Sequence, residues 1–385
     1  VWLARRAATV ATIGITAVVL GVSAPATHAQ MEATTSTGAE TLQALQASEI
    51  PPADPVDLAR RLRGVKDIPP NPTSPLKNFK VGDTRQFWVT NEDEGKDVQI
   101  TAKLVYMNDL VYMWYEDGVT VPPLTAIKQS ADKFANKIIP TVHRYFGTEA
   151  SPGVDGDVHL YILNSQQLGG SIAGYYSSAS SYPVAVAPRS NQAKIFMMNS
   201  DAEAPGNADF EGTLAHEFQH MVHDNMDPNE ETWLNEGLSE VSRLVNGYAD
   251  TGFAPQFMRN PATQLNAWGE NTLPHYGASY LFGTYFLQRF GPDALKTLVA
   301  EPENGLTGVG VTLRAIKATD PLTKAPVTVL DLYADWQAAN LINNKAAADG
   351  RYAYTMFNEP LAKPATTALK VAETKASINQ FGTQY

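Results

Sequence analysis

Two short strings in this chain combine residue types and spacings suited to chemistry: HEFQH at His216 to His220 and TWLNEGLSE at Thr232 to Glu240. Histidines four positions apart stand one turn apart on a helix, so both imidazoles can reach one ion while the intervening Glu217 projects beside it as a base. At roughly 100° per residue, Phe210, Leu214, Ala215, Phe218, Met221 and Val222 share one face, and His216 and His220 share the other. A catalytic zinc generally takes three protein ligands and keeps one position open, so a third ligand is required. His223 extends the string to HExxHxxH, but its Cα lies roughly 10 Å along the axis from that of His216 at 1.5 Å per residue. One ion cannot reach both ends, and His223 is expected at the rim or behind the ligands. Glu236 and Glu240 lie one turn apart beside an apolar face of Trp233, Leu234, Val241, Leu244 and Val245, on a helix that Asn229 or Thr232 would cap. One glutamate is expected to bind the ion. The other would hydrogen-bond a ligand histidine and hold its tautomer. The chemistry this permits is metal-assisted hydrolysis, in which a metal-bound water becomes acidic near neutral pH and Glu217 takes its proton.

Helices and strands in a definite order must position these strings. From Leu124 to Phe146 the apolar residues Ile127, Phe134, Ile138 and Val142 recur at helical spacing until Gly147, which predicts one long amphipathic helix. Before it, RQFWVT, DVQITAKLVYMN and DLVYMWYEDG read as short strands of a small antiparallel β module, with their aromatic residues in the core. After it come strand-like DVHLYILN and AKIFMMN, separated by the loop GGSIAGYYSSASSYP, which is a candidate lining of a cleft. Beyond Asp209 the chain reads as helical near 209–225, 232–246, 276–290, 292–300 and 329–345. Strands first and helices later is the order of an α+β protein with two lobes.

Composition sets the surroundings. The 385 residues carry a formal charge of -11 without long runs of like charge, which excludes a polybasic nucleic-acid or membrane-binding surface. With no cysteine, any metal must be bound through nitrogen and oxygen. Arg5 and Arg6 precede an apolar stretch from Ala7 to Val22 and a cleavage motif ending at Ala29, which reads as a signal peptide for export. Val1 reads as a bacterial alternative start codon, and no stable membrane association is expected after cleavage. The acidic loop Asn91 to Asp97 lacks the ligand spacing of an EF-hand and reads as a solvated turn, leaving any need for calcium open. The expected division is a signal peptide over 1–29, a pro-segment or linker over 30–76, the β module over 77–121, a catalytic domain over 122–350 and a C-terminal tail without assigned role over 351–385.

HEFQH followed shortly by WLNEG resembles the gluzincins, and the stretch from Gly169 to Asn343 resembles the hyicolysin family of secreted bacterial zinc metallopeptidases. That resemblance implies a two-lobed fold with a mixed-sheet upper lobe and a helical lower lobe, one catalytic zinc, and a protein or peptide substrate. WLNEG is also similar to the string of aminopeptidase N and leukotriene-hydrolase enzymes, whose ligand glutamate maps to Glu236, with Glu240 behind the ligands. The spacing from His220 is shorter than in that type, and the spacing in thermolysin would select Glu240 instead. PHYGASYLFGTYFLQRFG, from Pro274 to Gly291, resembles the aminopeptidase stretch that opens with an oxyanion-stabilising tyrosine. That tyrosine maps to Tyr276 at the start of a helix, and the thermolysin-like alternative donor is His275. By the same resemblance AKIFMMN is the edge strand that pairs with substrate. The Gly-x-Met-Glu-Asn signature that holds a free amino group is absent, which favours an endopeptidase over a zinc aminopeptidase. A non-catalytic extracellular binding protein with a relic metal site is the third reading, and the intact Glu217 argues against it.

Overall fold

The computed structural model describes residues 38–47, 54–69, 78–248, 252–357, 362–363 and 377–385. The signal peptide expected over 1–29 lies outside the described residues. Residues 8–54 form a compact unit of their own, of which one helix, α1 (Gly38–Ala47), is described. The larger unit holds everything from Pro55 onward. Among the described residues no helix is long and apolar enough to cross a membrane.

The larger unit begins with α2 (Pro55–Arg63), where only a linker or pro-segment is expected, and Arg63 donates hydrogen bonds to the carbonyls of Ala185 and Val186. Strands β1 (Thr84–Asn91), β2 (Lys96–Met107) and β3 (Val111–Glu116) form an antiparallel meander. A helical crossover follows, made of α3 (Leu124–Lys133), a single π-helical turn (Phe134–Ile138) and α4 (Ile139–Tyr145). Strands β4 (Leu160–Ser165), β5 (Gly174–Tyr176) and β6 (Ile195–Asn199) complete one six-stranded mixed sheet of order β1-β2-β3-β4-β6-β5. Since β3 pairs in parallel with β4, the meander expected over 77–121 is one half of the sheet that continues into the following segment. β6 is interior, between β4 and β5, which corrects the expectation that AKIFMMN is the edge. The edge is β5, supplied by the tyrosine-rich loop, with Tyr176 opposite Phe196.

The sheet separates two apolar cores. Strict alternation sends Val111, Met113, Leu160, Ile162, Phe196 and Met198 to the helical side. Tyr112, Trp114, Tyr161, Leu163, Ile195 and Met197 face the other side with Phe87 and Leu104. Strands buried on both faces read as continuous apolar runs, as β4 and β6 do. Most aromatic residues of the meander are accordingly core, as expected, with Trp114 and Tyr112 fully enclosed, whereas Trp88 is half-buried under Arg189.

The helical part comprises α5 (Ala208–Met226), α6 (Thr232–Val245), α7 (Phe253–Arg259), α8 (Thr272–Phe290), α9 (Pro292–Val299), α10 (Gly305–Ala315) and α11 (Val329–Ile342). The structure is thus α+β, with a sheet layer and a helical layer. Neither α7 nor α10 is expected from the sequence. α7 is under two turns long, and α10 carries three glycines, each costing about 1 kcal/mol of helix propensity relative to alanine. Packing decides both, since Phe257 of α7 stacks on Trp336 and Val309 and Leu313 of α10 are buried. The described end of the chain docks on α11, where the Tyr385 hydroxyl donates to the Gln337 carbonyl at 2.9 Å and that of Tyr333 to the Gly382 carbonyl at 3.1 Å.

Candidate metal centre

Three helices bring the site together. α5 starts at the N-cap Asn207, whose side chain accepts from the Asp209 amide, and its apolar face packs under the sheet. α6 starts at Glu231 without a side-chain cap, in place of the expected Asn229 or Thr232. Ser242 Oγ donates to the Ala215 carbonyl at 2.7 Å across the buried seam between α5 and α6. On its far side α6 meets α8 at Gly237, where a Cβ would come within 2.6 Å of Ser279 Cβ. Only glycine permits that approach, which accounts for the residue after Glu236.

The nitrogen and oxygen donors converge. His216 Nε2 and His220 Nε2 stand 3.0 Å apart, and Glu236 Oε2 lies 3.4 Å from the first and 3.7 Å from the second. Ligand atoms bonded at roughly 2.0–2.1 Å to a tetrahedral zinc stand roughly 3.3 Å apart, so the three donors fit one such ion. Glu236 Oε2 is buried and accepts no hydrogen bond, as an oxygen reserved for a cation would be. The other ring nitrogens are engaged from behind. His216 Nδ1 meets Glu240 Oε1 at 2.9 Å, while His220 Nδ1 meets Asn235 Oδ1 and, at 3.1 Å, Ser239 Oγ. These partners hold both imidazoles with Nδ1 protonated and the Nε2 lone pairs facing inward. The two expected third-ligand candidates therefore fall on opposite sides of the His216 ring, Glu236 with the Nε2 atoms and Glu240 on Nδ1.

The electrostatics match this geometry. Burial disfavours the charged form of His216, but Glu236 and Glu240 outweigh it and push the pKa up to about 10. Burial likewise works against the Glu236 carboxylate, and His220 and His216 hold it far below the ordinary range. Both shifts report carboxylate charge facing the two imidazoles, the surroundings that favour a cation. Glu217 is almost fully buried, and its charge acts on His216 from outside the donor triangle.

Tyr276 lies one turn inside α8, which begins at Thr272, and not at the helix start expected for it. Its ring stacks on Phe253 at 4.6 Å and meets Trp268 edge-on at 4.8 Å. Burial, followed by the charge of Glu236 and a hydrogen bond to it, raises its hydroxyl pKa well above the ordinary value, so it remains a donor at all ordinary pH. The neighbouring His275 turns away. It lines a separate hollow with Gln264, Ala267 and the chain end, and burial lowers its pKa.

The sequence reading missed Asn235 and Ser239, which repeat on α6 at the same four-residue interval as Glu236 and Glu240. That interval was the available signal. Tyr176 donates to Asp224 at 2.8 Å and, with Ser178, lines a cavity of about 310 Å³ that reaches His220 and Glu236. Of the two places expected for His223, the rim and behind the ligands, it takes the second: it is 1% exposed, touches Asn235, which holds His220, and belongs to a second cluster.

No protein-family model matches the chain. It is similar to the neutral metalloprotease ShpI of Staphylococcus hyicus, at 26% identity over 255 residues, which are 60% of this chain and 57% of that protein. Among solved structures, an M1 zinc metallopeptidase from Deinococcus radiodurans bound to a Tyr-Ser-Ala substrate aligns with a TM-score of 0.33 at 13% identity, over 74% of this chain and 54% of the other. The aminopeptidase A of Legionella pneumophila in complex with aspartic acid aligns with a TM-score of 0.36 at 11% identity, over 65% and 28%. The chain thus spans little more than half of the curated relative's length.

Proposed function

We propose that this chain is a secreted zinc-dependent endopeptidase. The observation that carries the reading is the inward convergence of His216 Nε2, His220 Nε2 and Glu236 Oε2, with the buried Glu217 near enough for its charge to act on His216. The likeness to a neutral metalloprotease supports the same reaction class. Those three atoms would hold the ion. A bound zinc would supply Lewis acidity, lowering the pKa of water to about 7 and polarising a scissile carbonyl. Glu217 accepts the proton of the attacking water and returns it to the leaving amine. Tyr276, held by Phe253 and Trp268, donates a hydrogen bond from its hydroxyl to the oxyanion as the carbonyl becomes tetrahedral. Glu240 and Asn235 keep the histidine tautomers fixed throughout. The free side of β5 offers an extended peptide backbone a strand to pair with, close to Tyr176 in the cavity wall. Export would rest on the segment 1–29.

The absent amine-anchoring signature supports internal cleavage, and the choice is open to direct assay. The protein should hydrolyse casein and an N-blocked peptide at least as well as the same peptide with a free amino terminus. Chelator should stop both reactions, and zinc should restore them. Cleavage of the free-amine peptide alone would make it an aminopeptidase. No cleavage of either by the zinc-loaded protein would leave a binding protein with a relic site.

Tyr276→Phe isolates the oxyanion donor, since the ring keeps its packing and only the hydroxyl is lost. A donor that bonds the oxyanion more strongly than the ground-state carbonyl acts on the rate constant. We expect kcat to fall by about 100- to 1,000-fold with little change in KM, zinc content or melting temperature. Unchanged kcat would reduce Tyr276 to a residue that packs the start of α8.

A further inference from the structure

We infer that the chain carries a second divalent-cation site, formed by His223, Asp227 and Glu230 where α5 passes into α6. One nitrogen or oxygen atom from each of these residues lies within 4.8 Å of the others. His223 is 1% and Asp227 3% exposed, so the cluster is not a solvated surface patch. Three of its atoms, His223 Nε2, Asp227 Oδ2 and Glu230 Oε2, are buried and have no hydrogen-bond partner. Buried polar groups are nearly always satisfied, and three residues that cluster within ligand distance and each hold a buried atom without a partner call for a common one. Like charges crowd the two carboxylates, with Glu301 acting on Asp227, and Asp227 and Glu231 on Glu230. A cation answers both needs.

The remaining contacts leave the three atoms available. Glu230 Oε1 already accepts from the Gly305 amide at 2.8 Å, which fixes the carboxylate with Oε2 turned inward. His223 Nδ1 contacts the side-chain amides of Gln219 and Asn235, each at 3.4 Å. Turning the Gln219 amide by 180° puts its oxygen on Nδ1 and its nitrogen on Ser239 Oγ, which in turn donates to the Asn235 carbonyl. A cation bound at Nε2 would therefore require His223 to carry its proton on Nδ1, given to the turned Gln219 oxygen, and the Asn235 nitrogen 3.4 Å away to give up its contact there. One imidazole nitrogen with two carboxylate oxygens suits a divalent transition cation such as zinc, whereas calcium and magnesium favour all-oxygen sites.

The site is distinct from the first but shares a wall with it. Asp227 and Glu230 line the same cavity as His220 and Glu236, and Asn235 touches both His220 and His223. A cation here would fasten the end of α5 to the turn that launches α6, and so hold the helix bearing Asn235 and Glu236. Its role is positional, and its existence does not depend on the proposed peptidase activity.

Equilibrium dialysis of the chelator-stripped full chain against zinc, with metal counted per folded chain, tests this. The wild type should bind two ions, and Asp227→Asn/Glu230→Gln should bind one. His216→Ala/His220→Ala should also retain one. His223→Gln provides an independent variant if the double carboxylate variant does not fold, with near-ultraviolet circular dichroism as the check on folding. If the wild type binds one ion that is lost in Asp227→Asn/Glu230→Gln and kept in His216→Ala/His220→Ala, the second site stands and the first metal assignment fails. If zinc content is the same in the wild type and the folded Asp227, Glu230 or His223 variants, the second site is overturned.

Discussion

Replacing Glu217 by glutamine should remove nearly all peptide hydrolysis while leaving the zinc content at the wild-type level. Glutamine matches glutamate in size and helix propensity, so α5 and its packing should survive, but the neutral amide cannot accept a proton from water. General-base catalysis contributes roughly 100- to 10,000-fold, and a residue acting as base and then as acid should sit at the upper end. Metal retention follows from the geometry. The donor triangle is made by His216, His220 and Glu236, and Glu217 acts on His216 only through its charge. The measurement is casein hydrolysis beside zinc per chain by atomic absorption. A Glu217→Gln enzyme with substantial activity, or one that had lost its metal, would show that Glu217 does not have this role.

Removing the third ligand should have the next largest effect, and it discriminates between two glutamates one turn apart. Glu236→Ala should release zinc from the first site, because Oε2 is one of three convergent donors and Glu240 sits on His216 Nδ1, on the other side of the ring. Glu240→Ala should keep that zinc with an affinity or activity weakened about 10- to 100-fold, since it removes the acceptor on His216 Nδ1 and frees the ring to change tautomer. Zinc titration with a competing chromogenic chelator ranks the two. If Glu240→Ala lost zinc more readily than Glu236→Ala, the ligand would be Glu240 and the Nε2-facing position of Glu236 would be incidental. Because Gly237 is pressed against Ser279, the helix cannot rotate to exchange the two without losing its contact with α8.

The parts of this site that were readable from the sequence are those governed by one helix at a time. His216, Glu217 and His220 are neighbours by the helical period alone, as are Glu236 and Glu240, and the apolar stripes beside them announce which faces are buried. The short runs of β-formers in β3, β4 and β6 similarly announce strands, and the order of strands before helices announces an α+β chain. What depended on how elements cross was decided only in three dimensions. The rotation of α6 against α5 puts Glu236 on the Nε2 side of His216 and Glu240 on the Nδ1 side, a distinction that no spacing encodes. Starting α8 at Thr272 turns Tyr276 toward the carboxylates and His275 toward the chain end. The three-residue β5 covers β6 and takes the sheet edge, although so short a strand within a Gly- and Ser-rich loop has no periodic signal. His223, Asp227 and Glu230 meet because the chain turns sharply after Met226. Their spacing of four and three resembles one helical face, yet the helix has ended before Asp227, and the turn rather than the period brings their side chains to a common point.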